Sequence, residues 1–188
     1  MTILALIGSP RRQGNTEVMA DEVLRGASEA GADTSKIYVD DHWIRPIGDV
    51  CDVISKRDDP RSDDDFPALL ERFLDADVVV WSTPVYWQGL SGQLKCFLDR
   101  MSSYFRRPSH AERFDGKGHI ILCSFGRKDP VHGQWITNAM KLTVEVLRGR
   151  YLGDVCAAGT QKRGQVRDIP DVLSACYDLG REAAEQVL

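Results

Sequence analysis

Residues 2–16 read TILALIGSPRRQGNT, and this stretch decides the fold. Its apolar beginning predicts a buried strand, and a polar loop follows that contains glycine, hydroxyl, arginine and asparagine side chains. Helical spacing of apolar residues resumes directly afterwards, with Met19, Val23 and Ala27 four positions apart. The order strand, polar loop, helix start builds an anion site, because unpaired N–H groups and the helix dipole both point at the loop.

The side chains of this loop favour phosphate as the anion. Ser9, Asn15 and Thr16 offer short hydrogen-bond donors, while Arg11 and Arg12 add positive charge. The loop lacks the Gly-Lys-Ser/Thr ending of a triphosphate-binding loop and the Gly-x-Gly-x-x-Gly of a dinucleotide-binding turn. We therefore predict a site for a phosphate monoester that needs no metal ion.

The rest of the chain alternates short apolar runs with helical spacing, which predicts a parallel sheet covered by helices on both faces. The predicted strands are residues 2–7, 35–39, 78–82, 119–124 and 152–158. The predicted helices follow the anion loop and carry apolar stripes over residues 66–74, 90–101, 133–148 and 171–187. This alternation indicates an α/β fold: a flavodoxin-like, doubly wound, five-stranded parallel sheet of order 2-1-3-4-5, in one domain over residues 1–188.

Two segments fall outside this regular frame. Residues 40–65 are long for a connection, and residues 104–117 form a basic and aromatic insertion. Each is a candidate for a lid or for a contact between subunits.

Composition limits the classes of partner. The net charge of −4 over 188 residues argues against nucleic acid as the main partner. No apolar run reaches the roughly 20 residues that cross a bilayer, so no membrane is expected. The first strand begins at residue 2 and leaves no room for a secretory signal, which favours a cytoplasmic location.

The cysteines and histidines do not form a recognisable site. The five cysteines are an odd number without a Cys-x-x-Cys, which argues against a disulfide framework. Cys96, Cys123 and Cys156 lie in apolar elements, where cysteine usually acts as a small buried hydrophobe. The four histidines are scattered without the spacing of metal ligands, and His119 is expected only to begin a strand.

A second informative segment, TPVYWQ at residues 83–88, follows the predicted central strand. In this fold, ligands bind beyond the carboxyl ends of strands one and three, so this segment meets the anion loop. Pro84 stiffens the backbone, while Tyr86 and Trp87 offer flat faces to a conjugated ring, although both are also typical of a core or an interface. A phosphate site beside an aromatic surface fits FMN.

Two motifs carry a family resemblance: GSPRRQGNT at residues 8–16 and TPVYWQGLSGQLKCFLDR at residues 83–100. They resemble the NADPH-dependent FMN reductase family and its iron–sulfur flavoprotein relatives. The resemblance implies that Ser9, Arg11, Asn15 and Thr16 bind the FMN phosphate, with Gln13 and Gly14 completing the turn. It further implies ring and ribityl contacts from Pro84, Val85, Tyr86 and Trp87, and a border formed by Ser124 and Gly126.

The activity implied by the resemblance is hydride transfer from NADPH or NADH to bound FMN, and then to a flavin, quinone or similar small-molecule acceptor. Such chemistry needs no acid–base pair, and none is predicted. The family commonly completes its flavin site across a subunit interface, which implies a homodimer or a higher homo-oligomer. Two alternatives remain: a flavodoxin-type electron carrier without nicotinamide turnover, and a non-catalytic flavin or nucleotide sensor.

Two details of the motifs qualify the resemblance. The iron–sulfur relatives carry a compact cysteine cluster after the second strand, whereas this chain has only Cys51 there, so no cluster is expected. The charges of the second motif include Lys95 and Asp99, which lie one helical turn apart and favour a structural ion pair.

Overall fold

A computed structural model of the protein describes residues 1–48, 63–105 and 107–186. Its centre is a parallel five-stranded sheet of order β2-β1-β3-β4-β5, which confirms the predicted fold class and strand order. The strands are β1 (Thr2–Ile7), β2 (Asp33–Tyr38), β3 (Val78–Pro84), β4 (Gly118–Phe125) and β5 (Arg150–Ala158). Each predicted strand is present, with ends that differ by up to two residues.

The helices are α1 (Asn15–Glu29), α2 (Phe66–Asp75), α3 (Gly92–Met101), α4 (Pro108–Phe114), α5 (Val131–Val146) and α6 (Pro170–Glu185), with short 3₁₀ turns at Val39–Asp41 and Gln165–Asp168. α3 begins later than its apolar stripe suggested, because the Ser91 hydroxyl accepts a hydrogen bond from the Leu94 N–H and caps the helix. α5 begins earlier, where the Asp129 carboxylate accepts from the Val131 N–H. None of the described helices is long and apolar enough to cross a lipid bilayer.

The sheet separates two hydrophobic cores. One core lies between the sheet and α1 and α6, and the other lies between the sheet and α2, α3 and α5. α1 and α6 approach closely because each contributes a glycine to the contact: a Cβ on Gly26 would lie 2.1 Å from the Tyr177 carbonyl oxygen, and one on Gly180 would lie 2.0 Å from that of Val23. This contact fixes α1, whose N-terminus borders the candidate site.

The two segments outside the regular frame differ in what the structure describes. In residues 104–117, Tyr104 and Phe114 are buried in the core beside α2 and α3. Lys117 is also buried, and its ammonium donates to the carbonyls of Leu74 at 2.6 Å and Ala76 at 2.5 Å, beside the C-terminus of α2. Part of the basic and aromatic signal therefore serves the fold. Residues 49–62 of the other segment, which include Cys51, lie outside the described residues.

Candidate functional site

A cavity of about 240 Å³ opens at the carboxyl edge of the sheet, where the loops after β1, β3, β4 and β5 meet. It is lined by every residue that the sequence predicted for the site except Gln13 and Trp87. Phe125, Thr160, Gln161 and Arg163 complete the lining. The topology thus brings the anion loop and the second motif together, as parallel strands of this order require.

The turn before α1 is shaped for close approach of its backbone. Gln13 adopts a left-handed conformation with φ of +55°, and its N–H donates to the Glu17 carboxylate. The Gly14 N–H donates to the Arg11 carbonyl at 3.0 Å. A Cβ on Gly14 would lie 2.8 Å from that carbonyl oxygen, so a side chain would force this turn open.

The first turn of α1 supplies donors that find no acceptor in the part of the chain that the structure describes. The first bond of the helix runs from the Val18 N–H to the Gly14 carbonyl, which leaves the N–H groups of the preceding helical residues without an intrahelical acceptor. The Thr16 hydroxyl is buried and has no hydrogen-bond partner among the described residues. Since a buried hydroxyl normally finds a partner, these donors fit a phosphate bound at the helix N-terminus.

The Asn15 side chain, which the sequence predicts to bind phosphate, makes hydrogen bonds within the chain instead. Its amide nitrogen donates to the carbonyls of Thr160 at 3.3 Å and Lys162 at 3.0 Å, and its amide oxygen accepts from the Val166 N–H at 3.1 Å. The side chain therefore ties α1 to the loop after β5, and its remaining contribution to an anion is its backbone N–H. This tie also explains why Thr160 reaches the cavity.

The two arginines of the anion loop, Arg11 and Arg12, lie in different surroundings. Arg11 lines the cavity, whereas Arg12 forms an ion pair with Asp41 and stacks over the Tyr38 ring at 3.4 Å from its centroid. The second cation of the cavity is Arg163, which sequence reasoning missed. The strand order could have indicated this residue, because β5 neighbours β4. The loop after β5 must therefore reach the same carboxyl edge of the sheet.

Ser9 closes the anion loop on the cavity side. It is buried, and its hydroxyl oxygen accepts from the Arg11 N–H at 3.2 Å. That bond uses the oxygen as an acceptor, so the hydroxyl hydrogen can still be donated to an anion.

The second motif forms a two-residue turn at the rim of the cavity. Tyr86 and Gly89 exchange two backbone hydrogen bonds, and Trp87 and Gln88 between them have φ of +52° and +57°. Positive φ at both central residues defines a type I′ turn, which is normally formed by Asn and Gly. Trp87 is 98% exposed at the tip, while Tyr86 lines the cavity and is half exposed. The turn thus presents an indole outside the cavity rather than in its wall.

The backbone that leads into this turn is held on the cavity side. The Val85 N–H donates to the Ser124 carbonyl at 3.0 Å, so the loop after β3 is joined to the end of β4. Gly126 is also close to a neighbour, since a Cβ there would lie 2.9 Å from the Gln161 side chain. These contacts give the apolar half of the cavity a fixed shape.

The charged residues of the second motif serve the fold. Lys95 and Asp99 form the predicted ion pair at 2.5 Å on the surface of α3. The next residue, Arg100, is fully buried and forms an ion pair with the equally buried side chain of Asp64. Burial opposes the Asp64 carboxylate, but hydrogen bonds from Arg100 and from two backbone N–H groups outweigh it and lower the pKa of Asp64. This pair holds the N-terminal end of α2 against α3.

The described lining of the cavity offers groups that bind and orient a ligand. Among its lining residues that the structure describes, arginine and tyrosine are the ionisable types, and aspartate, glutamate, histidine, lysine and cysteine are absent. The lining combines hydroxyl and N–H donors and two arginines with Pro84, Val85 and Tyr86. This combination fits a molecule with a phosphate at one end and a planar ring at the other.

Comparisons with known proteins agree with this geometry. The family model described as NADPH-dependent FMN reductase matches residues 1–163. The Bacillus subtilis protein YwqN, whose name gives it as a candidate NAD(P)H-dependent FMN-containing oxidoreductase, is 34% identical over 187 residues, which cover 98% of this chain and 99% of YwqN. An iron–sulfur flavoprotein of Archaeoglobus fulgidus is 33% identical over 147 residues, which cover 78% of this chain and 72% of that protein.

Solved structures agree on the fold. An NAD(P)H:quinone oxidoreductase from Methanothermobacter marburgensis superposes with a TM-score of 0.73 at 18% identity, over 96% of this chain and 98% of that one. At this identity, the likeness concerns the architecture of the sheet and helices.

Proposed function

We propose that this chain, which belongs to the NADPH-dependent FMN reductase family, binds FMN in the cavity at the carboxyl edge and delivers electrons from a nicotinamide to a small-molecule acceptor. As a member of this family it is an oxidoreductase that uses FMN and NAD(P)H. We propose a free flavin, a quinone or a similar conjugated molecule as the acceptor. The observation that carries the proposal is the buried Thr16 hydroxyl, which has no hydrogen-bond partner among the described residues and lies in the first turn of α1.

The phosphate of FMN would be held by the cationic and donor half of the cavity. The N–H groups of α1 and the hydroxyls of Ser9 and Thr16 supply hydrogen bonds, while Arg11 and Arg163 supply charge. Charge-assisted bonds of this kind are about twice as strong as neutral ones, so this half provides most of the binding specificity.

The ring would be held by the apolar half and by the backbone around it. The cavity lining there includes Pro84, Val85 and Tyr86 from the end of β3 and its loop, and Ser124 and Gly126 from the end of β4 and its loop. FMN held there would supply the chemistry of hydride and electron transfer between NADPH or NADH and the second substrate. The protein's part is to orient the ring and restrict water, which requires no acid or base in the cavity lining.

Trp87 is proposed to contact the substrates rather than the cofactor. Its indole is 98% exposed at the rim, one residue beyond the cavity-lining Tyr86. A flat aromatic surface in this position suits a nicotinamide or a planar acceptor that approaches an oriented ring.

Purified protein tests the proposal directly. We expect it to bind FMN with 1:1 stoichiometry and to oxidise NADPH or NADH in the presence of a flavin or quinone, as followed by nicotinamide absorbance. Bound FMN without nicotinamide oxidation would support the electron carrier or the sensor instead. Failure to bind FMN at all would contradict the assignment of the cavity.

A single substitution locates the phosphate. Ser9→Ala removes a hydroxyl from the cavity and should weaken FMN binding by about tenfold, measured by quenching of flavin fluorescence. Ser28→Ala, on the exposed side of α1, is the matched control and should leave the affinity unchanged. Equal affinity in the two variants would place the phosphate elsewhere.

A further inference from the structure

We propose that Cys123 and Cys156 form an oxidation site, in which a hydroperoxide converts the two thiols into a reversible disulfide between β4 and β5. The inference is independent of which cofactor occupies the cavity, because it rests on the two strands and on α5. It also departs from the sequence-based expectation that both cysteines act only as small buried hydrophobes.

The two sulfurs already lie together. Cys123 and Cys156 are register partners on neighbouring parallel strands, and their Sγ atoms are 2.8 Å apart. Neighbouring strands are about 4.8 Å apart, which falls within the Cα separation of about 4.4–6.8 Å that a disulfide requires. The sulfur separation exceeds the disulfide bond length by only about 0.8 Å, so closure needs side-chain rotation rather than movement of a strand.

α5 leaves room for the sulfurs through a glycine in its first turn. A Cβ on Gly133 would lie 2.9 Å from the Cys156 Sγ and 3.3 Å from the Cys123 Sγ. Because this glycine is near the N-terminus of α5, the positive end of the helix dipole lies beside the sulfur pair. A helix N-terminus favours the thiolate form of a nearby cysteine, which is the form that reacts with peroxides.

The two cysteines differ in access and in acidity. Cys123 is fully buried, whereas Cys156 is half-buried, so an oxidant reaches Cys156 first. A hydrogen bond from Cys123, opposed by burial and by the Asp154 charge, lowers the pKa of Cys156, while the same bond and burial raise the pKa of Cys123. Lys141, which pairs with Asp154 at 3.6 Å, adds a positive charge on the side of Cys156.

Oxidation of the two thiols takes two steps. The Cys156 thiolate attacks one oxygen of the peroxide, the O–O bond breaks, and the sulfur becomes a sulfenic acid as hydroxide leaves. The Cys123 sulfur then attacks that sulfur, the S–S bond forms, the S–O bond breaks, and the oxygen departs as water after taking the Cys123 proton. Two thiols and one hydrogen peroxide thus give one disulfide and two waters, with two electrons passing from sulfur to oxygen.

Peptide mapping tests this inference on the full chain. Reduced, folded protein is treated with hydrogen peroxide, quenched in acid, alkylated in denaturant, digested and analysed by mass spectrometry. We expect a linked pair of peptides that contain Cys123 and Cys156, about 2 Da lighter than the two reduced peptides, and its disappearance on treatment with a thiol reductant. Cys176 is buried and faces no other cysteine of the part of the chain that the structure describes, and burial raises its pKa to about 12, so it should be recovered in alkylated form.

Variants separate the roles of the two sulfurs. Cys123→Ser should leave a Cys156 sulfenic acid that a dimedone reagent captures, whereas Cys156→Ser should leave Cys123 reduced. Cys96→Ser, at a cysteine on α3 away from the pair, is the matched control and should retain the linked peptides. Recovery of both thiols in alkylated form at peroxide doses that oxidise another cysteine would overturn the proposal. A sulfinic acid at Cys156 without linkage would overturn it as well.

Discussion

Polar groups are buried both at the cavity edge and in the core beneath α2 and α3, but the two regions differ in whether these groups have partners. In the core, the buried guanidinium of Arg100 is paired with the buried carboxylate of Asp64. At the cavity edge, the buried Thr16 hydroxyl has no partner among the described residues. Buried charges that are paired within the chain maintain the fold, whereas donors left open beside a cavity indicate a ligand.

Backbone conformation shows the same contrast. The described non-glycine residues with positive φ are Gln13, Trp87, Gln88 and Arg148. The first three lie in the two loops that meet at the cavity edge, and Arg148 lies just beyond the end of α5. Left-handed conformations in non-glycine residues are costly and concentrate at binding sites, so the strain supports the functional assignment of this edge.

The largest expected effect comes from breaking the core pair. Arg100→Met leaves Asp64 buried without its partner and should lower the free energy of unfolding by about 3–5 kcal/mol. Denaturant titration measures the change. Lys95→Met, which breaks an exposed ion pair one turn away, is the control and should cost no more than about 0.5 kcal/mol. Equal, small losses in both variants would remove the distinction between the core and the surface of α3.

The second prediction concerns His119, a buried histidine whose two ring nitrogens differ in hydrogen bonding. His119 accepts a hydrogen bond from the Trp81 indole at 3.1 Å, while its Nε2 atom has no partner among the described residues. Burial, aided by the charge of Lys117, lowers the pKa of His119 from 6.5 to about 4. An unpartnered atom therefore indicates a ligand only where it borders a cavity with further donors, as Thr16 does.

This pKa makes stability depend on pH. In the unfolded chain His119 takes up a proton near pH 6.5, whereas in the folded chain it does so only near pH 4. The free energy of unfolding therefore falls as the pH falls through that window. The loss amounts to about 3 kcal/mol. His119→Gln keeps an acceptor for Trp81 and should flatten this part of the pH profile, measured by denaturant titration between pH 4 and 7. His110→Gln serves as the control, and an unchanged slope in the His119 variant would contradict the assignment.

The third prediction applies to the cavity edge. Thr16→Val preserves the shape of the side chain but removes a hydroxyl that has no partner within the described ranges. The protein without cofactor should therefore be as stable as before or up to about 1 kcal/mol more stable. Its affinity for FMN should fall by about 10- to 30-fold, or about 1.4–2 kcal/mol. Thr143→Val, on α5 away from the cavity, should change neither quantity. Loss of stability with unchanged affinity would show that the hydroxyl belongs to the fold.

The sequence predicted the sheet and the two central loops because their signals are local. Apolar runs mark buried strands, and the motifs at residues 8–16 and 83–88 lie at strand ends, where the topology must bring them together. The position of the anion loop at the carboxyl edge was therefore predictable from the sequence, as was the surface pair between Lys95 and Asp99.

What the sequence left out depends on contacts between distant residues. The Asn15 side chain donates hydrogen bonds to carbonyls about 145 residues away along the chain. No sequence pattern in its own loop indicates these bonds. The facing of Cys123 and Cys156 depends on the register of β4 and β5, and a shift of one residue would place the sulfurs on opposite faces. Register and side-chain partners are set by packing, so they appear only in the folded chain.

The smallest expected effect tests whether the strain at the cavity edge has a use. Gln88→Gly places glycine at a position with φ of +57°, which should stabilise the protein by about 1 kcal/mol, because glycine adopts this conformation without a steric penalty. Gln88→Ala keeps the penalty and is the control, with no gain in the free energy of unfolding. If the strained turn positions Trp87, the glycine variant should gain stability and yet show a several-fold higher KM for the acceptor, because its turn holds the indole less firmly. A gain in stability with unchanged kinetics would show that the conformation of the turn does not contribute to function.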